Sequence, residues 1–128
     1  MTVMQRTVGA VGWVQVGSDD PEGVKRFYGE LLGWTYFPDP SADGAYDLLV
    51  CPGTERPSGG ISHTGGEAPN HAIFFVVVAD VPAAVAHAER LGGKVLVSPT
   101  TSPTGLVFAE LLDPSGNHFG VFTPPPGS

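Results

Sequence analysis

The sequence predicts an α+β fold of two βαβββ modules, with curved mixed sheets and the helices on the outer face. Three observations predict it: an internal repeat, a capped helical segment in each copy, and short apolar runs of strand length around both helices. The repeat sets Asp20-Pro21-Glu22-Gly23-Val24-Lys25-Arg26-Phe27-Tyr28-Gly29-Glu30-Leu31-Leu32-Gly33 against Asp80-Val81-Pro82-Ala83-Ala84-Val85-Ala86-His87-Ala88-Glu89-Arg90-Leu91-Gly92-Gly93. The offset is 60 residues in a chain of 128. Two copies are too few for a solenoid array, which stacks three or more units. The repeat therefore reads as one domain: module 1 over about 10–63, a linker over 64–70, module 2 over about 71–123 and a tail over 124–128.

The elements follow in order. Val11 to Gly17 is a strand. Asp20 supplies an N-cap oxygen, and Pro21 stands at the first helical position, where a missing N–H costs nothing. Val24, Phe27, Tyr28, Leu31 and Leu32 then form one apolar stripe at helical spacing, and Gly33 ends the helix in a position suited to left-handed geometry. Trp34 to Phe37, Tyr46 to Cys51 and Gly59 to Ser62 are strands separated by turn-forming residues. His63 to Asn70 is polar and joins the modules. Ala72 to Ala79 opens the second module as a strong strand. The second helix runs from Val81 to Leu91, with Val81, Ala84, Val85, Ala88 and Leu91 on one face. Lys94 to Val97, Leu106 to Leu112 and Asn117 to Thr123 are the remaining strands. Asp113-Pro114-Ser115-Gly116 has type I turn chemistry and closes a hairpin between the last two. The tail Pro124 to Ser128 cannot join a ladder and is expected to fray. A helix on one face of each curved sheet leaves the other face free, and two such sheets enclose a trough.

Composition narrows the function classes. The formal charge is −7, and the six Lys and Arg residues form no cluster. Nucleic acid is not an expected partner, because a duplex-binding protein needs a basic stripe to displace counterions. No apolar run approaches the roughly 18–20 residues that span a bilayer, and no secretory pattern opens the chain. A cytoplasmic protein without membrane association is the expectation. Cys51 is alone, so it makes no intrachain disulfide and reads as a small buried residue on a strand.

Trp13, Asp20-Pro21, Phe27-Tyr28 and Leu32-Gly33-Trp34 resemble the opening of the vicinal oxygen chelate superfamily. That superfamily includes glyoxalases, bleomycin-resistance proteins and extradiol dioxygenases. Gly59-Gly60-Ile61, Val78-Ala79-Asp80-Val81, Leu91-Gly92-Gly93-Lys94-Val95 and Asp113-Pro114-Ser115-Gly116-Asn117 follow in the superfamily's order, so the resemblance covers about 11–122. It implies a homodimer and a divalent metal in the trough, held by His, Glu or Gln. In this sequence the corresponding positions are Trp13, Gly60, Ile73 and Gly120. None of these side chains offers a lone pair to a divalent ion. No metal cofactor is therefore expected. A displaced site is the alternative, with His71, His118 and Glu110 as ligands and Gln15 as a further donor.

Alternation along the strands places Trp13 with Gln15, Ile73 with Phe75, and His118 with Gly120 and Phe122. These eight residues, counting Gly60, are the candidate ligand-binding set. The faces they form are apolar with a few polar points, as in small-molecule pockets. Gly60 and Gly120 are expected to widen the cavity. Glu110 stands inside the apolar strand 106–112 and is the candidate catalytic residue, a general base. His87 reads as a helix residue facing sheet or solvent, and His63 as a loop residue.

The function expected is that of a glyoxalase/bleomycin-resistance-like protein binding a small organic molecule in an apolar cleft without the usual metal. The alternatives are a metal-dependent lyase, isomerase or dioxygenase with displaced ligands, a protein that sequesters a cationic antibiotic, and an interaction module. An enzyme, if it is one, is glyoxalase- or dioxygenase-like by the same resemblance.

Overall fold

The structure, a computed structural model, describes residues 7–125. The elements are β1 Val11–Ser18, α1 Pro21–Leu32, β2 Thr35–Pro38, β3 Tyr46–Val50, β4 Gly59–His63, β5 His71–Val77, α2 Val81–Arg90, β6 Lys94–Thr101, β7 Val107–Leu112 and β8 His118–Thr123. The described chain divides into two compact units. Unit 1 holds residues 13–72, and unit 2 holds 7–12 with 73–125. Among the described residues, no helix is long and apolar enough to cross a membrane.

In unit 1 the strand order is β2-β3-β4-β1. β1 runs parallel to β4, with Val14 beside Gly59 and Ser18 beside His63. β3 is antiparallel to both β2 and β4. Helix α1 starts where Asp20 accepts a hydrogen bond from the Gly23 N–H at 3.1 Å, and it ends at Gly33 with φ of 80°. It rests on β4 and β2. Its expected apolar stripe is only partly used. No residue of α1 is buried, and Phe27 and Leu31 remain 59% and 64% exposed. The strand layer beneath it explains why: Leu49 and Ile61 are fully buried, but Asp47 and Gly59 interrupt the apolar surface between them. Tyr28 instead stacks on Trp34 at 4.9 Å between ring centroids.

In unit 2 the order is β5-β8-β7-β6, with β5 parallel to β8 and the other pairs antiparallel. Asp80 caps α2 by accepting from the Ala83 N–H at 2.9 Å. Val81 and Val85 of α2 bury against Ala109, Leu111 and Val121, with Val78, Ala88, Val95, Val107 and Phe119 around them. The β7–β8 hairpin closes as its turn residues predict. The Gly116 N–H donates to the Asp113 carbonyl at 2.8 Å, and the Asp113 carboxylate accepts from the N–H groups of Ser115 and Asn117. Residues 126–128 of the tail expected to fray lie outside the described residues.

One expectation is overturned. In each unit the strand order is open, β2-β3-β4-β1 in one and β5-β8-β7-β6 in the other, and among the described residues no pairing closes either. Curved sheets that wrap a trough are therefore not what the strands form. Curling requires bulges or kinks repeated across the strands. Here register shifts occur in the β6–β7 pair, between Val95 and Thr100, at the edge of unit 2. β6 is also longer than its sequence suggests, because an edge strand tolerates Pro99, which lacks the N–H a central strand would need.

The α2 cluster is the apolar core of unit 2. Replacing Leu111, 1% exposed, by Ala removes buried methyl groups and leaves a cavity, so urea denaturation is expected to show a loss of about 3 kcal/mol.

Candidate functional site

Each strand gives alternate residues to the face covered by its helix and to the far face. In unit 2 the helix takes Ala109, Leu111 and Val121, so Glu110, His118, Gly120 and Phe122 lie on the far face. In unit 1 the helix side carries Asp47 and Ile61, which pair with each other. Tyr46, Gly60, Gln15 and Trp13 therefore share the far face. The candidate residues thus fall into two groups, one in each unit.

The unit 1 group is a chain of hydrogen bonds. The Trp13 indole N–H donates to the Tyr46 hydroxyl at 3.0 Å, and that hydroxyl donates to Gln15 Oε1 at 3.0 Å. Gln15 Nε2 lies 3.1 Å from His71 Nε2, and His71 Nδ1 lies 3.0 Å from the Pro69 carbonyl. Its direction is dictated from both ends, since an indole can only donate and a carbonyl can only accept. His71 must then carry its proton on Nδ1 and accept from Gln15 on Nε2. The chain occupies both ends of the Gln15 amide, which is 8% exposed.

Gly60 and Gly17 make this chain possible. A Cβ at 60 would overlap the Tyr46 ring, and one at 17 would overlap the His71 imidazole. In unit 2, Gly120 stands beside Phe75 on the neighbouring strand, and the Phe75 ring covers the space a Cβ would take. Gly60 and Gly120 were expected to widen a cavity, but each makes room for an aromatic ring instead. Ile73, Phe75 and Phe122 are buried at 8%, 5% and 3% exposure.

The polar point of unit 2 is a pair. Glu110 sits opposite Gly120 and His118 opposite Leu112, which brings His118 Nε2 to 2.7 Å from Glu110 Oε1. Their side chains are 24% and 15% exposed, His118 first. Of the residues proposed for a displaced metal site, Glu110 and His118 meet in unit 2, and His71 pairs with Gln15 in unit 1. Among the described residues, no three His, Cys, Asp or Glu side chains converge as a metal site would need. Trp13, Gly60, Ile73 and Gly120, the positions that the resemblance assigns to ligands, carry no side-chain donor for a divalent ion.

A third cluster was missed from sequence. Asp47, 7% exposed, accepts from Lys25 Nζ at 3.1 Å and from His63 Nε2 at 2.7 Å. Lys25 also meets Glu22 at 2.8 Å. Burial alone would raise the Asp47 carboxyl, but the hydrogen bonds from His63 and Lys25 outweigh it and hold it below its ordinary value. The Lys25 ammonium is raised, chiefly by its hydrogen bond to Glu22 and then, against burial, by Asp47. The signal available was an aspartate between Tyr46 and Leu48 in a strand. A buried charge demands a partner, but nothing in the sequence says which cation provides it. Nearby, the Tyr36 hydroxyl is buried without a hydrogen-bond partner among the described residues, and burial pushes its phenol up.

The family profile of the glyoxalase-like domain matches residues 13–122. The chain belongs to that family, within the vicinal oxygen chelate superfamily. CFP32 of Mycobacterium tuberculosis is 30% identical over 118 residues, covering 92% of this chain and 45% of that one. The anthracycline biosynthesis protein DnrV of Streptomyces peucetius is 35% identical over 116 residues, covering 88% of this chain and 41% of that one. The chain thus spans less than half the length of these relatives. Among solved structures, methylmalonyl-CoA epimerase from Mycobacterium tuberculosis shares the fold with a TM-score of 0.62 at 14% identity, covering 98% of this chain and 94% of that one. The Mn(II)-bound glyoxalase from Novosphingobium aromaticivorans does so with a TM-score of 0.60 at 20% identity, covering 93% and 40%.

Two outcomes follow from the clusters. Asp47 is held low in the fold, so its contribution is complete well above its ordinary value of about 4 and drains away as pH falls through the lower folded value. Melting temperature measured from pH 6 downward is expected to fall in acid, and Asp47→Asn is expected to flatten that fall. Asp113 keeps its own share in the variant, since hydrogen bonds from Asn117 hold it low as well. Tyr46→Phe strands the Gln15 oxygen and the Trp13 indole N–H, at a cost of about 1–3 kcal/mol. Tyr36→Phe removes a hydroxyl without a partner, and is expected to equal or exceed the wild type in the same denaturation assay.

Proposed function

We propose that this protein binds a small organic molecule with extensive apolar or aromatic surface, and that it does so without the superfamily's divalent metal. The observation that carries the reading is the set of residues at the superfamily's ligand positions: Trp13, Gly60, Ile73 and Gly120. The polar groups nearest to them are already engaged in pairs, His71 with Gln15 and His118 with Glu110. The far faces are composed of aromatic and aliphatic side chains with a single acidic point in unit 2, the composition of an organic-molecule site. The relatives DnrV and DauV, both named for anthracycline biosynthesis, favour a fused-ring aromatic ligand.

A thermal-shift screen of fused-ring aromatic compounds tests this. A ligand of the native state present at a hundred times its Kd adds about 2.7 kcal/mol of stability, a rise of several degrees for a domain of this size. At least one such compound is expected to raise the melting temperature, with an equal rise in the presence of EDTA. A stoichiometric divalent ion in protein purified without chelator, with a melting temperature that drops when it is removed, would defeat the metal-free reading.

A further inference from the structure

Two carboxylates among the described residues are engaged in ion pairs with little exposure: the side chains of Asp47 and Glu110 are 10% and 15% exposed. Their surroundings differ. Asp47 has the permanent positive charge of Lys25 at 3.1 Å as well as the His63 imidazole. Among the described residues, Glu110 has the His118 imidazole at 2.7 Å as its one ion-pair partner, and no Lys or Arg lies within ion-pair distance of it. An ionised carboxylate has about four acceptor positions, and one imidazole N–H fills a single one. Among the described residues no other ion-pair partner reaches this carboxylate, whose side chain is 15% exposed, so acceptor positions remain for a donor from outside the chain.

Its neighbours suit a cation of a particular kind. Glu110 lies opposite Gly120, the residue that Phe75 covers with its ring, and Phe108 pairs with Phe122 two positions along the same face. Aromatic rings attract a cation over their faces, and their carbon surface attracts the skeleton that carries it. The chain as a whole holds a formal charge of −7, which draws cations toward it.

We infer that Glu110 anchors the protonated amine of a small aromatic ligand, an organic ammonium that donates to this carboxylate while its ring lies among the aromatic side chains of unit 2. The imidazole of His118 holds the carboxylate in place from one side. This rests on the small-molecule reading above and adds the charge of the ligand and the residue that selects it.

A matched pair of probes separates the two claims. 2-(Aminomethyl)naphthalene is an ammonium at neutral pH, and 2-naphthalenemethanol is its neutral counterpart of the same shape. Calorimetric titration of the intact chain is expected to show the amine binding at least tenfold more tightly than the alcohol. In Glu110→Gln the two are expected to bind alike, with the alcohol's affinity unchanged. If that variant does not fold, Glu110→Asp keeps the charge but withdraws it by one methylene, and is expected to weaken the amine selectively. Equal affinity of both probes for the wild type, or a preference that survives in Glu110→Gln, overturns the ammonium assignment and leaves the small-molecule reading standing. Failure of both probes to bind overturns the two together.

Discussion

The far faces of this protein are organised by two glycines, each lying beneath an aromatic ring. Gly60 and Gly120 are equivalents in the repeat, and so are their parallel-strand partners Gln15 and Phe75. In unit 2 the partner itself provides the ring, and Phe75 packs over Gly120 as a plain apolar contact. In unit 1 the partner is an amide, so the ring comes from Tyr46 on β3, and its hydroxyl must then be satisfied. That one exchange, phenylalanine for glutamine at the same place in the duplicated frame, turns a dry contact into a directed chain of hydrogen bonds reaching Trp13 and His71. Introducing a side chain at either glycine would displace a ring on which the remaining groups of its face depend.

The duplicated frame also shows how buried charge is treated differently in its two halves. Asp47 is fully compensated and faces the helix, where it ties α1 to the strands. Glu110 faces away from α2 and is met by an imidazole. A compensated charge against a helix is a structural tie; an under-compensated one on an aromatic surface has capacity left for something that is not part of the chain. The membership of the glyoxalase-like family fits this division, because a shared frame constrains the packing and leaves the chemistry of individual positions open.

Much of the fold was legible in the sequence. The Asp-Pro caps, the terminating glycines and the Asp113 turn each act through a few neighbouring residues, so local chemistry suffices to place both helices and the last hairpin. Alternation also sorted Gln15 with Trp13 and His118 with Gly120. What was not legible depends on partners distant in the chain. Nothing near Gly60 announces that Tyr46 will cover it, and nothing near Asp47 announces Lys25. The curvature expected of the strands failed for a related reason: whether a sheet curls depends on bulges and pairings that emerge only when the strands meet. The apolar stripe of α1 was read correctly as a pattern, but its burial required an apolar layer beneath it that Asp47 and Gly59 interrupt.

That interrupted layer gives α1 a different standing from α2. Detaching α2 would expose Val81 and Val85 and open the cluster around Leu111, so its release approaches the cost of unfolding unit 2 altogether. Detaching α1 breaks an ion pair and a ring stack but uncovers no fully buried helix residue. Proteins open first where little apolar contact is lost. The first helix is therefore the segment set to separate in a partial opening, and its amide hydrogens would exchange with solvent well before those of the second.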